Sequence, residues 1–292
     1  MFLDLLGIIS ALGAASSWTY ACFLWRRQTK YFSASQINII KNIIAFLIFF
    51  PFLLTIDFQS RSAEIFILLL SGVIGIAIGD SFYIISLKIL GTRNTLTVEA
   101  LSPILATILG SFLLNEMLSL QVYLGILIVS ISLIGVVLQK TVDNNDRTSS
   151  LANQKGFVFA FLSVFCAVIA ATLSRLVLTN SDLNPFQTTE IRLLGSIVAL
   201  IPFSKKNIIN SIEGLSFENK SRLLYATFLG TNVGILLQQN VFKILPIGLG
   251  WTLLSTSPAI ALFFAREEGE EINGKTLILT ATIILGIYIV FI

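Results

Sequence analysis

Ten residues recur in kind along this chain at one fixed separation of 155 positions. Gly75, Gly79, Lys88, Ile89, Leu90, Thr97, Ser102, Pro103, Ala106 and Glu116 fall on Gly230, Gly234, Lys243, Ile244, Leu245, Thr252, Ser257, Pro258, Ala261 and Glu271. A chain that repeats itself at this spacing has to fold as two like units. Each unit is almost wholly apolar and holds five runs of membrane-crossing length. Five is odd, so the second unit must enter the membrane in the opposite sense to the first. The predicted fold is an all-α integral membrane protein with ten transmembrane helices as two inverted five-helix repeats. Secondary transporters are built this way, because mirrored halves can open a shared cavity to either side.

Composition points to the same class. Of the 292 residues, 55% are hydrophobic and only 12% charged, against about 25% charged in a soluble domain. Runs near the length of about 20 residues that crosses the hydrocarbon core lie at 5–25, 37–56, 65–87, 95–114 and 122–138. The second set lies at 156–178, 188–203, 223–242, 247–265 and 276–292. The predicted organisation is a first repeat over 1–140, a polar linker over 141–155 and a second repeat over 156–292. The opening Met1-Phe2-Leu3-Asp4 has no basic stretch and reads as the start of the first span.

Several function classes drop out. The chain has no histidine, which removes Ser-His-Asp and Cys-His catalysis and His-ligated metals. Its two cysteines, Cys22 and Cys166, lie in apolar runs and read as buried small hydrophobes. No Walker motif is present, so ATP coupling within this chain is not expected. A net charge of +3 spread between spans gives no support for nucleic-acid binding. No enzyme activity, metal or cofactor is expected.

Lys and Arg cluster in alternate loops: Arg26, Arg27 and Lys30, then Lys140, Arg147 and Lys155, then Lys205, Lys206, Lys220 and Arg222. By the positive-inside rule these loops are cytoplasmic and both termini lie outside. In the second helix of each half, Lys41 and Pro51 match Arg192 and Pro202, ten residues apart in both. A cation therefore sits inside an apolar run twice.

The segment 86–97, then Leu101-Ser102-Pro103, then Glu116 thirteen residues after the proline, resembles the third and fourth helices of the EamA-like branch of the drug/metabolite transporter superfamily. Lys243-Ile244-Leu245-Pro246, Ser257-Pro258 and Glu271 repeat it. The resemblance implies a ten-helix basket around a central cavity lined mainly by helices 1, 3, 4, 6, 8 and 9. It implies secondary transport, often export, of small metabolites such as amino acids. It also implies cytoplasmic termini, against the charge count, so the orientation stays open. Asp80 and Glu99 depart from the pattern, since relatives often carry apolar or small residues there.

Candidate cavity residues are Trp18, Tyr83, Asp80, Glu99, Asn232, Gln238, Gln239 and Trp251. Consecutive helical residues point about 100° apart, so Gln238, Gln239 and Asn240 cannot all face one cavity. A carboxylate in hydrocarbon needs a partner or a function. Asp80 and Glu99 are therefore read as proton or substrate sites, or as structural ion pairs with Lys41, Arg192 or Lys88. Lys41 and Arg192 are read as charge partners of acids or of an anionic substrate. Gly75 with Gly79, and Gly230 with Gly234, form small-xxx-small faces for close helix packing, and Pro103 and Pro258 interrupt their helices. Glu116 and Glu271 read as caps or loop salt bridges, Arg175 and Glu190 as snorkelling groups near segment ends, and Trp25 as an interface anchor before Arg26-Arg27.

The reading that gathers these features is a secondary transporter exporting a small polar metabolite by alternating access, with proton coupling through Asp80 or Glu99 as an option. A lipid-carrier flippase with Lys41 and Arg192 on a phosphate is the alternative, and an intramembrane enzyme the remote one. Expected partners are the metabolite and the lipid bilayer, with monomer and homodimer both open. The lack of a transit-like N-terminus points to a bacterial inner membrane.

Overall fold

A computed structural model of the chain describes residues 2–140, 147–203, 212–261, 263–264 and 274–291. Those residues are helical apart from short connections, with no strand among them. In chain order the rods are α1 (Phe2–Gln28), α2 (Ala34–Leu53), α3 (Ser62–Leu90), α4 (Thr92–Leu113), α5 (Leu120–Lys140), α6 (Arg147–Asn180), α7 (Pro185–Leu200), α8 (217–244), α9 (247–261) and α10 (Gly274–Phe291). Five of them, α1, α2, α3, α4 and α6, are long and apolar enough to cross a membrane. Part of the expected linker is helical. Residues 147–155 already belong to α6, because nothing from Arg147 to Lys155 is Gly or Pro and the helix simply continues past its apolar run.

The sequence repeat is also a structural repeat. Ser33 caps α2 and Asn184 caps α7, 151 residues apart, and both close a capping box with a glutamine three residues on, Gln36 and Gln187. Inside α3 the residues Gly72–Gly79 form a π-helical stretch, and inside α8 the residues Phe228–Gly234 do the same. A π turn spans five residues and is wider than an α turn. A Cβ on Gly79 would lie 3.3 Å from the Ile74 carbonyl oxygen, and one on Gly234 would lie 3.2 Å from that of Leu229. Glycine relieves this crowding at matching places in both halves.

Helix packing follows the same exchange. The pairs α2·α7, α4·α9 and α5·α10 join equivalent rods, while α1 packs on α8 as α6 packs on α3. Gly7 of α1 lies against Leu245, and Gly156 of α6, 149 positions later, lies against Leu90. Likewise a Cβ on Gly230 would meet Ala21 at 2.5 Å, and one on Gly75 would meet Ala170 at 2.5 Å. The glycine faces thus serve packing between the halves. The tightest crossing is α3 with α7: a Cβ on Gly72 would sit 1.9 Å from the Arg192 carbonyl oxygen, and one on Gly195 would sit 2.4 Å from that of Leu69.

The prolines restart helices. Pro103 follows a 3-10 turn at Glu99–Leu101 inside α4. Pro258 opens the second piece of α9, after the first ends at Leu254. Both are buried, and the serines before them, Ser102 and Ser257, face the space between the halves.

Candidate functional site

A cavity lies where the two halves meet, with about 850 Å³ of empty space when its open mouth is included. It is lined by equivalent positions: Trp18 with Ala167, Gly79 with Gly234, Asp80 with Ile235, Tyr83 with Gln238, Glu99 with Leu254, and Ser102 with Ser257. The wall is therefore symmetric in position and unlike in chemistry. The first half supplies two acids and two aromatics, and the second supplies Ile235, Leu254, Ala167 and Gln238. Arg192, Trp251, Ser163, Val164 and Ser255 also line it from the second half.

Each charge has its own setting. Lys41 is fully buried, and its Nζ donates to Asp80 Oδ2 at 2.6 Å and to Asn42 Oδ1 at 3.1 Å. It also stands over the Trp25 ring, 5.5 Å from the centroid. Asn42 Nδ2 donates to Asn38 Oδ1, and Asn38 Nδ2 donates to the Ile76 and Ala77 carbonyls in the π-helical stretch of α3. The Lys41–Asp80 pair is thus embedded in a polar chain that locks α2 to α3. Arg192 lines the cavity with 4% of its surface exposed. Its Nε and Nη1 have no hydrogen-bond partner among the described residues. Glu99 lines the cavity facing Trp18 and forms no ion pair among the described residues.

Trp18, Tyr83, Asp80, Glu99, Gln238 and Trp251 all line this cavity. Tyr83 accepts a hydrogen bond from the Cys22 thiol at 3.4 Å, and Trp18 packs against both Tyr83 and Trp25. Two expected cavity residues are elsewhere. Gln239 accepts hydrogen bonds from Ser174 and Thr188, tying α8 to α6 and α7. Asn232 donates to the Ala45 carbonyl at 3.1 Å, tying α8 to α2. Asn240 turns a third way and donates to Ser10. The 100° steps of the helix separate all three consecutive residues.

Other expectations are corrected as well. Trp25 is 1% exposed, buried against Trp18 and Lys41, and not an interface anchor. Arg175 does not snorkel: it pairs with Glu116 and donates to the Phe242 carbonyl. Glu116 also accepts from the Ile247 backbone N–H at 2.8 Å, so it caps α9 while joining α4 to α6. Asn115, at φ 53°, makes the left-handed turn that aims Glu116 inward. Glu190 is fully buried, with neither carboxylate oxygen bonded among the described residues. Glu271 lies outside the described residues. Sequence reading missed the Arg175–Glu116 knot because its members are distant in sequence. The signal available was Arg26, which stands at the place equivalent to Arg175 and has its guanidinium against Gly91, just before α4.

The profile of the EamA-like transporter family matches the chain twice, over residues 5–138 and 154–292. Among solved structures, one titled only as the crystal structure of a protein is similar over 97% of this chain and 94% of its own, with a TM-score of 0.68 and 15% identity. At that identity the likeness is one of fold. No curated protein matches.

Proposed function

Because the chain belongs to the EamA-like transporter family, we propose that it is a secondary transporter that moves a small polar metabolite outward through the cavity between its halves. The observation that carries this reading is a cavity walled by equivalent positions of both repeats. In this reading all ten rods cross the membrane, the second repeat inverted relative to the first, and the halves rock about the cavity to face either side in turn. The π-helical stretches of α3 and α8 are where each rod adjusts against the opposite half. The membrane is a bacterial inner membrane in this reading.

Asp80 is held by Lys41, so proton coupling falls to Glu99, the cavity acid with no ion-pair partner among the described residues. A phosphate shared by Lys41 and Arg192, as a lipid-carrier flippase needs, finds Lys41 already bonded to Asp80. The test is efflux from proteoliposomes loaded with a mixed metabolite extract, read by mass spectrometry with and without a pH gradient. Selective loss of a few solutes is expected, and Glu99→Gln is expected to remove any acceleration by the gradient. No loss of any solute from folded, inserted protein contradicts the reading.

A further inference from the structure

We propose that the cavity binds an organic carboxylate whose oxygens dock on the Arg192 guanidinium. The inference rests on the transporter reading and names the substrate class of that same cavity. It comes from comparing two equivalent cations. Lys41 has three partners: Asp80, Asn42 and the ring of Trp25. The positions equivalent to these around Arg192 are Ile235, Leu193 and Ser174. Ile235 and Leu193 have no acceptor, and the Ser174 hydroxyl is given to Gln239. Asp80, the acid whose charge reaches Arg192, is bonded to Lys41. The guanidinium consequently has no hydrogen bond and no ion pair among the described residues.

An unpaired cation inside a membrane bundle is costly, and here its surroundings leave room for a ligand. Arg192 itself lines the cavity beside Ile76 and Gly79, so a solute in that space reaches the guanidinium. The planar fork of a guanidinium matches a carboxylate through two parallel hydrogen bonds. Charge selects among anions. Asp80 and Glu99 share the cavity, and two nearby acids repel a doubly charged phosphate ester more than a singly charged carboxylate. Trp18, Tyr83 and Trp251 offer apolar faces to the rest of the molecule.

The test is the thermal unfolding midpoint of the detergent-purified full chain with butyrate, lactate or phenylpropionate, each against its carboxamide, and with glycerol phosphate. At least one carboxylate is expected to raise Tm in a saturable way, with its amide weaker by about tenfold or more. Ile235→Asp gives Arg192 the internal partner that Lys41 has. It is expected to fold and to lose the shift, as is Arg192→Gln. Four results overturn the proposal: no carboxylate shifts Tm, amides act as strongly as acids, glycerol phosphate alone binds, or Ile235→Asp binds as wild type. Efflux of the bound carboxylate from proteoliposomes separates the two claims. Binding without flux contradicts the transporter reading and leaves the carboxylate site standing. Flux of neutral solutes without carboxylate binding does the reverse.

Discussion

Lys41 and Arg192 occupy equivalent places in the two halves, yet one is closed off and the other is open. Around Lys41 stand an acid, an amide and an indole. Around Arg192 the same three places hold an isoleucine, a leucine and a serine that bonds elsewhere. The scaffold of capping boxes, π-helical stretches and glycine crossings is duplicated. The chemistry is not. A repeat fold can thus duplicate its frame and still set equivalent charges in different surroundings in its two halves. The contrast teaches which residues belong to the frame and which are available to a solute.

The comparison breaks most sharply at the two cations. Asp80→Ala leaves a fully buried ammonium without its acid and is expected to cost about 3–5 kcal/mol, read as a large fall in Tm or in folded yield. Arg192→Gln removes no internal partner and is expected to leave Tm unchanged or higher. Equal losses from both variants would mean that Arg192 has a structural partner.

Next come the crossings. Gly75→Ala and Gly230→Ala each bring a Cβ within 2.5 Å of an alanine Cβ in the other half. Each is expected to cost about 1–3 kcal/mol, with Gly230→Ala the more costly because its Cβ would also run into the Trp25 ring. Gly274→Ala meets nothing within 4 Å among the described residues and serves as the silent control. A larger loss from Gly75→Ala than from Gly230→Ala, measured by unfolding, would contradict this packing.

The caps come third. Ser33→Ala and Asn184→Ala each remove one side of a capping box and should cost about 1 kcal/mol each, checked by thermal melts. The smallest effect belongs to Glu190, which has no equivalent acid because Ile39 stands there. Glu190→Gln substitutes a neutral side chain of the same shape for a buried carboxylate with no bonded oxygen among the described residues. No loss of Tm, or a small gain, is expected; a clear loss would reveal a cation paired with it.

Much of this frame was legible in the residues. The separation of 155 finds α3 with α8 and α4 with α9, because glycines, prolines and charged ends tolerate little substitution and repeat as identities. The separation of 151 finds α2 with α7 through Lys41, Arg192 and two prolines. The pairing of α1 with α6 was harder to see. It shifts again, to 149, and joins Gly7 to Gly156 and Ala21 to Ala170 amid residues that differ. Insertions in connecting loops change the offset without disturbing the helices. In the cavity, Asp80, Glu99, Trp18 and Tyr83 stood out because polar and aromatic groups in mid-span need a reason. Gln239 and Asn232 stood out equally and serve helix contacts, since a step of about 100° per residue separates a cavity face from a packing face. The isolation of Arg192 was not legible, because it depends on what surrounds the side chain in space.

The most direct measurement is access to the cavity from each side of the membrane. Gln238→Cys, in a chain with Cys22 and Cys166 replaced by alanine, puts a single thiol on the cavity wall. Vesicles of known orientation would be treated with a membrane-impermeant thiol reagent from outside and, separately, from inside. Labelling from both sides, slowed by a transported solute, is the expected result. Labelling from one side only, at every temperature and solute concentration, would contradict alternating access between the two halves.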